Sequence, residues 1–167
     1  MVVIIEGTDG TGKTTLCELL RTSLKCMVIH EGYPGNDQQK RFERVMELRS
    51  NIYNQDRLVI YDRCTSIDDF VYDFLNKEHS SIYKLKDYIK LMLKDAHIFH
   101  LVLEDKEEHK RRLEDRGDNY ISWEQIEEIE KSYKKFYRGL KVNTIKISNN
   151  NVENLNRILD YIKEKKL

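Results

Sequence analysis

Residues 7–14 read Gly-Thr-Asp-Gly-Thr-Gly-Lys-Thr, a full match to G-x-x-x-x-G-K-[ST], and follow directly on the apolar run Val2–Ile5. The pattern has a mechanism. Its glycines let successive backbone N–H groups turn inward on a phosphate, its lysine reaches the β- and γ-phosphates, and the hydroxyl after the lysine ligates magnesium. Gly7, Gly10, Thr11, Gly12, Lys13, Thr14 and Thr15 are therefore the candidate phosphate cradle. Thr14-Thr15-Leu16-Cys17-Glu18-Leu19-Leu20 continues as a helix, whose N-terminus offers an anion a positive dipole end. Strand, loop and helix in this order separate a working phosphate loop from a chance glycine-rich turn.

Downstream, apolar runs alternate with helical periodicities. Val2–Ile5, Met27–His30, Leu58–Tyr61, Ile98–Leu103 and Thr144–Ile147 read as strands. The helices between them read Lys13–Leu24, Gln38–Tyr53, Ile67–Leu75, Ile82–Lys94, Lys106–Arg116, Trp123–Tyr137 and Val152–Lys165. In the last, Val152, Leu155, Ile158, Leu159 and Ile162 share one stripe. Trp123–Tyr137 opens with a capping box, Ser122 with Gln125, and gathers Ile126, Ile129, Tyr133 and Phe136 on one face. Strict alternation predicts an α/β fold of three layers, a five-stranded parallel sheet covered by helices on both faces, with ligands at the carboxyl ends of its strands. No repeat, linker or composition break divides the chain, so residues 1–167 read as a single domain.

Lysine plus arginine equals aspartate plus glutamate at 29 each, so no global basic field predicts a nucleic acid or an anionic membrane as partner. Anions must be held locally. Cys17, Cys26 and Cys64 form an odd set without a C-x-x-C pair or a histidine at ligand spacing, which argues against a disulfide framework and a zinc site and for the reducing cytoplasm. Residues 2–5 are too short for a signal-peptide core, and no apolar stretch approaches about 18 residues, so neither secretion nor membrane crossing is expected. His30, His79, His97, His100 and His109 are scattered without a repeated spacing and read as structural rather than as ligands.

Two further clusters carry chemistry. Leu58-Val59-Ile60-Tyr61 runs straight into Asp62-Arg63, which sets an acid and a base at the mouth of the ligand crevice: Asp62 for the metal or its waters, Arg63 to fork onto a phosphate. In Lys110-Arg111-Arg112-Leu113-Glu114-Asp115-Arg116-Gly117-Asp118, spacing lets Lys110 meet Glu114 and Arg111 meet Asp115 as an ordinary solvated face. Arg112 and Arg116 share another face as like charges, an arrangement that an anion between them would relieve, with Glu108 one turn earlier able to neutralise Arg112. Gly117 then frees the chain, so residues 110–122 read as a lid carrying arginine onto transferring phosphates.

Glu6 to Thr15, Asp62-Arg63 and Arg112-x-x-x-Arg116-Gly117, in this order along the whole chain, resemble the thymidylate kinase branch of the P-loop nucleoside monophosphate kinases. The resemblance implies the P-loop NTPase fold, ATP as donor, Mg²⁺ held by Thr14 and Asp62, a deoxynucleoside monophosphate acceptor of dTMP type, a cytoplasmic enzyme and a homodimer. It implies that Asp9 binds the deoxyribose 3′-hydroxyl. With Gly10 in place of a loop arginine, the catalytic arginine comes from the lid, so Lys13, Asp62, Arg63, Arg112 and Arg116 form the catalytic set. Tyr33-Pro34 resembles the Phe-Pro that lines the acceptor site, and Tyr72 and Arg44, with Phe42 and Arg49, border the same crevice. The chain departs from the pattern by its shorter segment between strands two and three, by Gly32 and Asn36 where arginines are usual, and by Cys64 and Asn119. Such compact forms are similar to deoxynucleotide kinases of phage and prophage genomes.

Two alternatives stand beside this reading. A deoxynucleoside kinase shares the loop and lid but phosphorylates a 5′-hydroxyl, which needs a general base near the end of strand two, where Glu31 sits. A nucleotide-binding ATPase or switch needs no small acceptor, although no Asn-Lys-x-Asp guanine motif is present.

Overall fold

A strand apolar at every position, as Val2-Val3-Ile4-Ile5 is, must be covered on both of its faces. The structure, a computed structural model describing residues 1–32, 35, 37–54, 56–72, 84–117, 122–147 and 151–166, satisfies this demand. β1 (Val2–Glu6) lies at the centre of a sheet with β2 (Met27–His30), β3 (Val59–Asp62), β4 (His97–Leu103) and β5 (Val142–Ile147), in the order β2-β3-β1-β4-β5 and parallel at every pairing. Among the described residues the helices are α1 (Lys13–Leu24), α2 (Gln38–Tyr53), α3 (Thr65–Val71), α4 (Lys86–Leu93), α5 (Lys106–Asp115), α6 (Trp123–Phe136) and α7 (Asn151–Lys166). This is the three-layer P-loop kinase fold.

Alternation along β1 sorts its residues into two cores. Val2 and Ile4 join Tyr61 and Ile98 under α2, α3, α4 and α6, whereas Val3 and Ile5 join Ile60 and Leu101 under α1 and α7. Ile4 and Ile5 are wholly buried, and each such side chain contributes about 1.5–3 kcal/mol relative to exposure. Between α2 and α3 the first core also holds a buried ion pair, Arg41 with Asp69. Such pairs contribute more to the register of packed elements than to net stability.

Helix starts follow local chemistry. Asp37 caps α2 through the Lys40 amide, Asp105 caps α5 through the Glu107 and Glu108 amides, and the capping box of Ser122 and Gln125 opens α6 as its spacing predicts. Differences from expectation lie where apolar counting is blind. β5 begins at Val142, two residues early, because Asn143 and Thr144 lie on an edge strand that need not be apolar. α3 begins at Thr65 rather than Ile67, and Leu75 and Ile82, expected helix ends, lie outside the described residues. Phe42, named above at the border of the acceptor crevice and by its residue type equally a core candidate, is 51% exposed on α2. No helix among the described residues is long and apolar enough to cross a membrane.

The register brings Ile5 level with Asp62, His30 level with Asp62, and Glu6 level with His100. A row of ionisable side chains therefore lies along the carboxyl edge of the sheet.

Candidate active site

The chain leaves β1 at Gly7, where φ is 144° and an added Cβ would stand 2.5 Å from the Leu101 carbonyl, so only glycine lets the loop pass under β4. The loop delivers Lys13 as the first residue of α1. Lys13 is 5% exposed; its Nζ donates to the carbonyls of Gly7 at 2.6 Å and Thr8 at 2.8 Å, and Thr11 Oγ1 donates to the Thr8 carbonyl at 2.8 Å. Burial, and after it the Arg63 guanidinium, depress the Lys13 ammonium to about 8.

That shift has a pH signature. A bound phosphate favours the charged amine, so above pH about 8 binding must take up a proton and nucleotide affinity falls as pH rises, whereas below pH about 8 Lys13 is already charged. Calorimetry in two buffers of different ionisation enthalpy is expected to show proton uptake at pH 9 that is absent at pH 7. Without nucleotide the sign reverses. Between pH about 8 and 10.5 the folded state holds fewer protons on Lys13 than the unfolded state, so this group makes stability rise with pH across that window.

β3 ends on Asp62, and Arg63 follows at φ 69°, a left-handed conformation that costs a side-chain-bearing residue about 1–2 kcal/mol. The Arg63 amide donates to the Ile5 carbonyl at 3.1 Å, and its guanidinium pairs with the carboxylate of Asp9, itself 6% exposed. Asp9, expected to meet a sugar hydroxyl, thus faces the arginine expected to meet the acceptor phosphate. Asp62 Oδ2 lies 2.9 Å from His30 Nδ1, whose Nε2 reaches Glu18 Oε1 at 3.1 Å. The bond to Asp62 raises the His30 imidazole above its ordinary value. Asp62 Oδ1 is buried without a partner. An orphaned carboxylate oxygen beside a phosphate loop fits magnesium, which keeps several waters and takes one or two carboxylates with substrate phosphates. Thr14, exposed at the loop rim, is the second oxygen donor. Among the described residues no cluster of three histidine, cysteine or acidic groups stands at metal-ligand spacing.

Helix α5, where the lid is expected to begin, makes some of the ion pairs its spacing predicts. Arg112 Nε donates to Glu108 Oε1 at 2.7 Å, and Arg111 takes Glu108 at 2.8 Å and Asp115 at 2.9 Å. These arginines hold the Glu108 carboxyl at about 2. Lys110 turns to Glu107 at 3.4 Å rather than to Glu114. Gly117, at φ 71°, closes the last turn by donating to the Glu114 carbonyl at 2.9 Å, while residues 118–121 of the expected lid lie outside the described residues. Gly10, Gly12, Lys13, Thr14, Thr15, Arg63, Arg112, Asp115 and Arg116 line one cavity of about 540 Å³. Cations from the end of β3 and from α5 and its C-terminal cap therefore converge on the loop.

On the acceptor side, Arg44 Nη1 donates to the Gly32 carbonyl at 2.5 Å and to Thr65 Oγ1 at 2.6 Å, tying the exit of β2 to α3. Tyr72, at the end of α3, has its phenol pushed up by burial and by the nearby Asp68 and Asp9 carboxylates. Arg49 sits over the Tyr53 ring at 5.9 Å. Tyr33 lies outside the described residues. Glu31 is 7% exposed and accepts from the Thr65 amide at 2.5 Å, and burial raises its carboxyl above the ordinary range.

Beside the site lie three residues that sequence reasoning missed, Glu6, Asp68 and His109, together with the tyrosine that the first two share. Glu6 is wholly buried and accepts from the Cys64 amide at 2.7 Å. The Tyr133 hydroxyl lies 3.1 Å from Glu6 and 3.2 Å from Asp68, and its single hydrogen can serve only one of them at a time. Burial raises both carboxyls. Asp68 sits five residues after Arg63, a spacing that only the turn of α3 converts into proximity. The third, His109, is a histidine read as structural; its Nε2 lies 2.5 Å from the Asp9 carbonyl.

A family model described as an AAA domain, AAA_18, matches residues 3–135. No curated protein sequence matches the chain. Among solved structures, the chain is similar to the YorR protein of Bacillus subtilis in complex with phosphorylated GDP (TM-score 0.80, 24% identity, covering 99% of this chain and 98% of that one). It is also similar to deoxyadenosine kinase of M. mycoides with dCMP and dCDP bound (TM-score 0.66, 16% identity, 98% and 100% covered). Thymidylate kinase of Candida albicans aligns with a TM-score of 0.55 at 14% identity over 99% and 92%.

Proposed function

The chain belongs to the AAA_18 family of AAA domains, and from that premise we propose that it is an ATP-dependent kinase that transfers the γ-phosphoryl group to a deoxynucleoside monophosphate, giving ADP and a deoxynucleoside diphosphate. One observation carries the reading: Arg63, Arg112, Arg116 and Lys13 line a single cavity, with Asp115 the one carboxylate of that lining among the described residues. Lys13, Arg112 and Arg116 suit the transferring phosphoryl group whatever the acceptor; Arg63, from the strand end, is the additional cation that an acceptor phosphate needs and a neutral 5′-hydroxyl does not. The nucleoside and nucleotide kinases with the same fold support a phosphotransferase acting on a small molecule.

Lys13 leaves the Gly7 and Thr8 carbonyls for the β- and γ-phosphates, and the loop amides take the phosphate oxygens. Arg63 exchanges Asp9 for the acceptor phosphate, which frees the Asp9 carboxylate for a sugar hydroxyl. Arg112 and Arg116 neutralise the passing phosphoryl group and help to exclude water. Magnesium, held by Thr14 and Asp62, spreads charge across the phosphates when bound. An ionised phosphate acceptor needs alignment rather than a base.

The deoxynucleoside kinase reading is favoured by Glu31, whose burial gives its carboxyl the raised basicity that a general base uses, and by the better alignment of deoxyadenosine kinase than of thymidylate kinase. Coupled ADP release with MgATP and a panel of deoxynucleosides and their monophosphates separates the two. Turnover with monophosphates only is expected. Glu31→Gln should then leave monophosphate turnover within about threefold, because that step removes no proton by a protein base. Turnover with nucleosides only, abolished by Glu31→Gln, would replace the main reading. ADP release indifferent to every acceptor would leave an ATPase.

A further inference from the structure

The lid helix touches the phosphate loop through more than its arginines. His109, 3% exposed, brings Nε2 to 2.5 Å of the Asp9 carbonyl. Burial pulls its basicity down, and because a carbonyl only accepts, Nε2 must carry the hydrogen to make that contact a bond. Arg112, one turn along the same face, extends to 3.5 Å from the next carbonyl, that of Gly10. The imidazole rests on Gly10 itself, where an added Cβ would stand 3.1 Å from the ring Cδ2. Trp123 of α6 closes on the ring edge-on at 5.4 Å and confines it.

No peptide bond among the described residues is cis, so the Asp9 carbonyl and the Gly10 N–H point in opposite directions. A bond that fixes the carbonyl on His109 thereby fixes the direction of the Gly10 amide, at a residue that lines the cavity. Asp9 is thereby held twice, its carbonyl by the lid helix and its carboxylate by Arg63. We propose that His109 is a positioning residue for phosphoryl transfer: through the Asp9 carbonyl it turns the phosphate-loop amides toward the nucleotide and ties their orientation to the lid helix. This rests on the kinase reading above.

His109→Gln and His109→Asn test it. The glutamine amide N–H reaches close to where imidazole Nε2 sits, while that of asparagine falls about one bond short; both are polar and uncharged, so a merely structural histidine would make them alike. The readouts are kcat and KM for MgATP, melting temperature, and nucleotide Kd from the emission of Trp123, the one tryptophan of the chain. Glutamine is expected to stay within about threefold of the natural protein, and asparagine to lose roughly ten- to a hundredfold in nucleotide affinity and kcat at the same melting temperature. Equal Kd and kcat for the two variants would overturn the proposal. If the natural protein phosphorylates no acceptor but nucleotide Kd still follows reach, the proposed function falls and the positioning role stands. Should neither variant fold, nitrogen NMR of the natural protein decides: an Nε2–H tautomer at His109 is required, and an Nδ1–H tautomer overturns the idea.

Discussion

Arg63→Ala is expected to lower kcat/KM for a monophosphate acceptor by roughly a thousandfold, the scale on which arginines act in phosphoryl transfer. It should also cost stability. Asp9 would be left buried at 6% exposure without its partner, and an uncompensated carboxylate there should cost about 1–3 kcal/mol, less than in a deep interior because Arg63 is itself one-third exposed. The two effects separate in a double variant. Asp9→Asn added to Arg63→Ala removes the stranded charge, so urea unfolding should show most of the lost stability returning while turnover stays down. If turnover returned together with stability, Arg63 would be a structural partner of Asp9 and nothing more.

The second large effect concerns the lid. Arg112→Ala and Arg116→Ala should each lower kcat roughly a hundred- to a thousandfold in single-turnover assays, because each removes a cation from a site where charge moves in the transition state. Arg111→Ala is the control on the same helix. Its guanidinium is exposed and occupied by Glu108 and Asp115, outside the cavity lining, and its loss should change kcat by about twofold or less. Equal losses at positions 111 and 112 would mean that the helix acts through its fold rather than through its charges.

Much of this arrangement was legible in the sequence because it is local. The phosphate loop announces itself within one stretch of chain, β1 and β3 are apolar at successive positions because both faces are covered, and the capping box of α6 is readable from Ser122 and Gln125. What stayed hidden depends on distant segments meeting. Nothing in the neighbourhood of His109 distinguishes it from the other histidines, since its partner lies a hundred residues earlier in the chain. Glu6 and Asp68 share a tyrosine from α6, and Arg41 finds Asp69 across two helices. Phe42 misled for the opposite reason: a large apolar residue is assigned to the core by type, yet α2 turns it outward. One signal was available. An acidic residue inside a phosphate loop needs a cation, and Arg63, placed by its strand at the same edge of the sheet, was the obvious candidate.

The contact between Gly10 and the imidazole of His109 also bears on how such a protein can change over generations. A side chain at position 10 would begin 3.1 Å from the ring of His109, so a larger residue there requires the ring to give by a few tenths of an ångström. Positions 10 and 109, ninety-nine residues apart, are therefore expected to change together over generations rather than independently.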